Sequence, residues 1–273
     1  MVRSLWSAAS GMIAQQTNVD TIANNLANVN TTGYKTEVAE FKSLLYQNIQ
    51  TKTTSANGKQ KPIGAQVGLG VRNSAVTTVF KQGPLLASSS STAFAIEGKG
   101  FFAVRGEDKK IYYTRNGNFD FNVGNDKQMV LSTSDGLPVL DTAGKEISLN
   151  SNTYSVNKIT VSADGQLCYP DASNNAKPIG YKIGIFQFSN SAGLEKTGDT
   201  LYDQTIASGA ALNESTNNTL VKSSIAQGYL EGSGVQVVDE MVNMIVAQRA
   251  YEMNSKAITT SDQMMEQANN LKR

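Results

Sequence analysis

Histidine is absent from the 273 residues, and cysteine occurs once, as Cys168 in "QLCY". The first absence removes the commonest general base, the usual partner of serine and cysteine nucleophiles, and the commonest ligand of transition metals. The second excludes an intrachain disulfide and a metal site built on thiolates, so Cys168 reads as a small core residue in a strand. Charge of one sign is also missing: 24 basic residues stand against 23 acidic ones, with no long run of either. That balance gives no footprint for nucleic acid and no polybasic membrane patch. No apolar run approaches the ~18 residues needed to cross a bilayer. Arg3 is followed by no continuous apolar segment before Gln15 and Gln16, so neither membrane insertion nor a cleavable secretory signal is expected. Carboxylate pairs and Ser/Lys dyads are the catalytic devices that survive these gaps. No metal or cofactor is expected.

Glycine-rich stretches offer no site either. "GKGFFA" (98–103) has dinucleotide-type spacing, but an aromatic strand follows where a phosphate-binding helix must begin. "GLGVRN" (68–73) lacks the third glycine. "DFNVGND" (120–126) resembles the start of a calcium loop, yet Gly124 and Asn125 occupy its fifth and sixth positions and Leu131 replaces the bidentate Glu. These three read as turns.

What is present is apolar periodicity, in a chain whose apolar residues make up 40% and suffice for a core. Leu5, Met12, Val19 and Leu26 recur every seventh residue, with Ile22 beside them, and predict a packed or coiled helix over 4–29. Val237, Met244, Tyr251, Ile258 and Met265 repeat the pattern and predict a second helix over 236–271, about 50 Å long. Glu252 and Lys256 there have the favourable i, i+4 order, and Lys272 and Arg273 sit at the negative end of the dipole. Between the helices the period changes to two. Ile179, Tyr181, Ile183 and Ile185 alternate in "GYKIGIFQF", and Asn116-Gly117, Asp135-Gly136 and Asp164-Gly165 read as hairpin turns, so 92–190 is expected to be mostly antiparallel β. "QTKTTSANGKQKP" (50–62), "LLASSSSTA" (85–93) and "SGAALNESTNNT" (208–219) read as connectors.

The polar face of the first helix is unusual. Ser10, Thr17, Asp20, Thr21, Asn24 and Asn28 lie opposite the apolar stripe, and Asp20 is the one charged side chain between Arg3 and Lys35. A solvated helix normally carries both signs of charge; a neutral polar face suits close approach to other protein or a lumen that must not hold passengers. Asn24 and Asn28, one turn apart, fit amides that set register against a neighbour; the alternative is that asparagine frays the helix and shapes its exit, which accounts for Asn30. Gly33 then supplies a flexible way out. The Met residues of the second helix have packing spacing.

"SAASGMIAQQTNVDTIANNLANVNTTGYK" (7–35) and "EMVNMIVAQRAYEMNSKAITTSDQMMEQANNLKR" (240–273) resemble the paired terminal signatures of the bacterial flagellar rod, hook and hook-associated axial proteins. "AIEGKGFFAV" (95–104) and "YTRNGNF" (113–119) are similar to β-domain blocks of that family, and "EFKSLLYQNI" with "QVGLGVR" (66–72) look like its distal-rod type. The resemblance implies an α+β fold. Terminal helices (1–33 and 228–273) form a coiled-coil inner tube, an extended or β connector covers 34–91, and a mainly antiparallel β outer domain covers 92–227. It implies a non-catalytic structural subunit that polymerises helically into the distal rod, the driveshaft from motor to hook, around an export channel. Leu5, Met12, Val19, Ile22, Leu26, Val237, Met244, Tyr251, Ile258 and Met265 are then the assembly interface, and Thr17, Asp20, Thr21, Asn24 and Asn28 are register or channel-facing groups. Implied partners are further copies, proximal rod proteins, the hook protein and the export apparatus, with surrounding ring proteins as further candidates. The implied place is the basal body in the cell envelope, reached without a cleaved signal. A proximal rod or hook subunit, and a secreted glycan-binding or hydrolytic β domain, are the alternatives.

Overall fold

The computed structural model describes residues 2–50, 65–123, 128–151, 153–171, 175–217 and 219–271. The soft stretch from 51 to 62, Gly124 and Asn125, and the terminal Lys272 and Arg273 lie outside the described residues. Contacts divide the chain into two compact units: Met1–Ala27, Glu37–Thr78 and Gln236–Arg273 form one, and Asn28–Thr36 with Val79–Val235 form the other. Residues 37–78, read from sequence as part of a connector, therefore group with the helices.

The first unit holds helix α1 (Val2–Ala27), helix α2 (Val237–Asn270) and an antiparallel ribbon. α1 stops two residues short of the sequence expectation, because Asn28–Asn30 turn out of the helix; asparagine is a poor interior former and a good terminator. α2 starts with Asp239 and Glu240 in its first turn, where the helix dipole favours carboxylates. The ribbon is made of β1 (Glu37–Ser43), β2 (Tyr46–Gln50), β3 (Ala65–Gly68) and β4 (Val71–Thr78), with β1 paired to β4 and β2 to β3. Leu44 N–H to Gly70 O and Leu69 N–H to Leu45 O join the two halves. A two-stranded ribbon is marginal alone, and here it rests on α1. No helix is long and apolar enough to cross a membrane among the described residues.

The second unit is antiparallel throughout its named strand pairs, as the period-two patterning predicts, and strands continue past 190 to Tyr229–Glu231. Its largest sheet has six strands in the order Glu195–Gly198, Leu201–Asp203, Ile111–Thr114, Phe101–Arg105, Ile185–Gln187, Leu212–Asn213. Phe102 and Val104 face one core with Phe94, Ile96, Phe119 and Leu131, while Phe101 and Ala103 face a second with Tyr113, Leu140, Phe188 and Tyr202. A strand covered on both faces reads as a continuous apolar run, which is why "FFAV" does not alternate. The glycines before it make a turn: Gly98 has φ +135 and a strand follows. Ile179, Tyr181, Ile183 and Ile185 all reach the first core.

Asp164-Gly165 closes the hairpin between Thr160–Val161 and Gln166–Pro170, and Asp135-Gly136 turns with Gly136 N–H on Thr133 O. Asn116-Gly117 does not make a hairpin. The flanking strands belong to different sheets, and Gly117 instead accepts the Phe94 N–H at 2.9 Å, with no room for a Cβ against the Phe94 carbonyl. The dipeptide serves close approach rather than reversal. Cys168 lies in a strand but is half-buried rather than in the core.

Candidate assembly surfaces

Two contacts fix how the helices of the first unit meet. Ser4 Oγ lies 3.4 Å from Ser261 Oγ, and a Cβ added to Gly11 would stand 2.9 Å from Asn254 Nδ2. Seven residues forward on α1 go with seven back on α2, so the pair is antiparallel. The same register carried on sets Asn18 against Ala247 and Asn25 against Glu240; Ala247, Asn25 and Glu240 are all buried. The seam is thus built from serine, glycine, alanine, asparagine and one glutamate. The large heptad series found in the sequence lies beside it: Leu5, Met12, Val19 and Leu26 are half-buried, as are Met244, Ile258 and Met265, while Val237 and Tyr251 are exposed. Ile22 alone of that set is buried. Small residues let backbones approach but carry no hydropathy signal, so periodicity located the heptad and missed the seam by one position on α1.

The hydroxyls and amides of α1 meet the ribbon. Ser10 Oγ accepts the Val71 N–H at 3.3 Å, and Ser7 Oγ donates to Gly68 O at 3.5 Å. Asn25 makes both bonds a strand neighbour would: its Nδ2 donates to Glu37 O at 2.8 Å and its Oδ1 accepts the Glu37 N–H at 2.9 Å. Asn24 Nδ2 donates to the Glu37 carboxylate at 3.2 Å. Thr21 is buried with its hydroxyl on Thr17 O, Thr17 in turn bonds Ile13 O, and Asn28 accepts from Thr31. Asp20 and Asn24 are exposed. Asn25, the amide that ties helix to ribbon, was not singled out from sequence; its spacing of seven from Asn18 is the signal that marks it.

Opposite the seam the first unit exposes large apolar side chains. Trp6 is 71% and Ile13 66% exposed on α1. On α2, Val238, Met241, Val242 and Ile245 follow i, i+3, i+4, i+7 spacing and are all more than half exposed, Val238 at 73%. A contiguous apolar face of this kind marks an interaction surface. Glu252 pairs with Arg249 at 2.9 Å rather than with Lys256, an exposed bridge of little energetic weight.

The second unit contains a buried ion cluster. Residues 28–36 and 231–235 run together: Gly33 N–H donates to Glu231 O at 2.8 Å, and Gly234 N–H to Tyr34 O at 3.0 Å. Gly33 has φ +71 and a Cβ there would meet the Asn116 backbone at 2.6 Å, so the expected exit glycine is fixed in place rather than flexible. Between the segments Lys35 Nζ lies 2.6 Å from Glu231 Oε1 and donates to Lys81 O at 2.8 Å. Arg115 Nη1 lies 3.3 Å from Glu231 Oε2, its Nη2 donates to Gly98 O at 2.5 Å, and its guanidinium stacks over Phe101. Glu231 Oε1 also accepts the Gly83 N–H at 2.9 Å. All three side chains are at most 3% exposed. Two cations share one carboxylate. Burial holds the Lys35 ammonium below the ordinary lysine range, Glu231 opposes that shift, and Arg115 adds to it. Burial likewise lowers Arg115, with Glu231 opposing. Sequence reading did not find this cluster, because nothing local pairs residues so far apart. Lys35 and Arg115 do sit inside "GYK" and "YTRNG", two of the blocks that carried the resemblance.

Comparison with known proteins places three family matches along the chain. Residues 5–35 match the flagella basal body rod protein family, 95–169 match the flagellar hook protein FlgE/F/G D1 domain, and 226–271 match the flagellar basal body rod FlgEFG protein C-terminal family. Among curated relatives, the flagellar basal-body rod protein FlgG of Borreliella burgdorferi is 44% identical, with both chains fully covered. FlgG of Agrobacterium fabrum is 42% identical over 96% of this chain and 97% of its own. FlgG of Buchnera aphidicola subsp. Acyrthosiphon pisum is 39% identical over 99% and 100%.

Proposed function

The chain belongs to the FlgG family of flagellar basal-body rod proteins, a structural and non-enzymatic family, and from that premise we propose how its surfaces build the distal rod. Copies polymerise helically, with α1 and α2 forming an inner coiled-coil tube, the ribbon and the rest of 34–91 acting as connector, and the β body (92–227) lying outside. The observation that carries this reading is the composition of the α1–α2 seam: small and polar residues close the pair within one copy and leave Trp6, Ile13, Val238, Met241, Val242 and Ile245 uncovered. Burying each such side chain contributes roughly 1.5–3 kcal/mol, available when another copy arrives. The half-buried Leu5, Met12, Val19, Leu26, Met244, Ile258 and Met265, with exposed Val237 and Tyr251, border this surface and complete the lateral contacts through which torque passes from motor to hook.

Asp20 and Asn24 are the exposed members of the polar set; Asp20 is placed to line a channel, Asn24 is held against the Glu37 carboxylate, and Thr21 serves the interior of the subunit. The rod's other neighbours are proximal rod proteins at one end and the hook protein at the other, with the export apparatus below, ring proteins around and the periplasm outside. The test is Ile245→Asp with Val242→Asp in cells lacking the native gene. Purified protein should keep its circular dichroism, while basal bodies should end before the distal rod and cells should not swim. Full-length rods and normal swimming would refute the assignment.

A further inference from the structure

Two pairs of like charges stand exposed in the first unit, each unfavourable by itself. Lys42 on β1 and Arg72 on β4 are direct cross-strand partners. Like charges so placed destabilise a sheet. Asp262 and Glu266 on α2 are four residues apart, where like charges repel, and they lie toward the helix end at Asn270, where the dipole disfavours carboxylates. All four are exposed, and among the described residues none has an oppositely charged partner. The spacings match: cross-strand Cβ atoms are about 4.5–5.5 Å apart and helical i, i+4 Cβ atoms about 5–6 Å. Leu45, Tyr46 and Leu69 follow along the ribbon from the basic pair and are exposed as well.

We infer that the ribbon is a docking surface for the carboxyl-terminal end of α2 from a second copy, with Lys42 and Arg72 meeting Asp262 and Glu266 and these apolar side chains closing over the contact. The inference rests on the reading of the chain as a polymer subunit and names one of its contacts. The basic pair of one copy meets the acidic pair of the next, a contact between unlike surfaces that repeats head to tail in a helical polymer. Its charges set the partner and register more than the affinity.

The test uses full-length chains in cells lacking the native gene. Lys42→Glu with Arg72→Glu, or Asp262→Lys with Glu266→Lys, should lower the number of complete rods about tenfold, and the four changes together should restore it. A second measurement removes dependence on charge reversal. In a Cys168→Ser background, Lys42→Cys chains co-produced with Glu266→Cys chains should give disulfide-linked pairs in isolated basal bodies, and neither chain alone should. Unchanged rod numbers in both double variants, or no mixed disulfide in rods that do assemble, would overturn this contact and leave the polymer reading intact. A native chain that builds no rod would remove both. Efficient closure within single chains carrying both cysteines, without linked pairs, would reassign the charges to an internal contact and overturn the proposal.

Discussion

Replacing Glu231 by glutamine tests the charge balance of the buried cluster. The change is nearly isosteric but removes the one carboxylate that touches both Lys35 and Arg115, leaving Glu214 to act on Arg115 only through space, and it weakens the acceptor for the Gly83 amide. Removing one partner of a buried pair costs about 3–5 kcal/mol, a large share of the roughly 5–15 kcal/mol that holds a domain. With a urea dependence of about 2 kcal/mol per molar, the unfolding midpoint should fall by ~1.5–2.5 M, followed by near-ultraviolet circular dichroism of the full chain. The contrasting variant is Lys35→Met. It turns two cations and one anion into a matched pair and removes a group whose burial is resisted, so its cost should stay below about 2 kcal/mol despite the lost bond to Lys81 O. Equal costs for the two variants would show that packing rather than charge balance governs the site. A midpoint for Glu231→Gln within about 0.5 M of the parent would show that water reaches the cluster.

The same lysine sets a pH dependence. Its folded-state pKa is below its unfolded one, so the unfolded chain binds more protons between the two values and stability rises with pH through that alkaline window. Tyr113 acts oppositely, its folded pKa being raised by burial and by Asp203. The stability difference between the parent and Lys35→Met should therefore grow in favour of the parent as pH rises toward the ordinary lysine value, since Tyr113 cancels; a flat difference would contradict the assignment. Asn25→Ala strands the Glu37 N–H and C=O and should cost about 1–3 kcal/mol, with faster hydrogen exchange confined to β1 and its neighbours. Gly117→Ala drives a Cβ into the Phe94 carbonyl and should cost upward of about 4 kcal/mol, read as loss of soluble folded protein.

How much of this was legible follows from what each residue signals. Both helices and the antiparallel body were readable because large apolar residues at periods of seven and two report the face that leaves water. The seam was not, since Ser4, Gly11, Asn254 and Ser261 have no such signature; a contact made by absence of bulk is silent in hydropathy. The neutral face of α1 is legible as missing charge, but which groups it meets is not: Ser10 and Asn25 bond the ribbon, a use that no local pattern specifies. Asn116-Gly117 looked like a hairpin because turn propensity and backbone proximity both select glycine. Lys35, Arg115 and Glu231 required the tertiary fold, as pairing between distant charges leaves no local pattern.

The backbone bonds between Gly33 and Glu231 and between Gly234 and Tyr34 make the polypeptide enter and leave the β body through one doorway. Everything from Val79 to Leu230 is then a loop hung from a clasp, and its size is invisible to the chain on the near side. Such a subunit can lengthen or shorten those parts of the loop that lie away from Lys81, Gly83, Gly98 and Arg115, which hold Lys35 and Glu231 from inside it, while the two segments of the doorway stay joined.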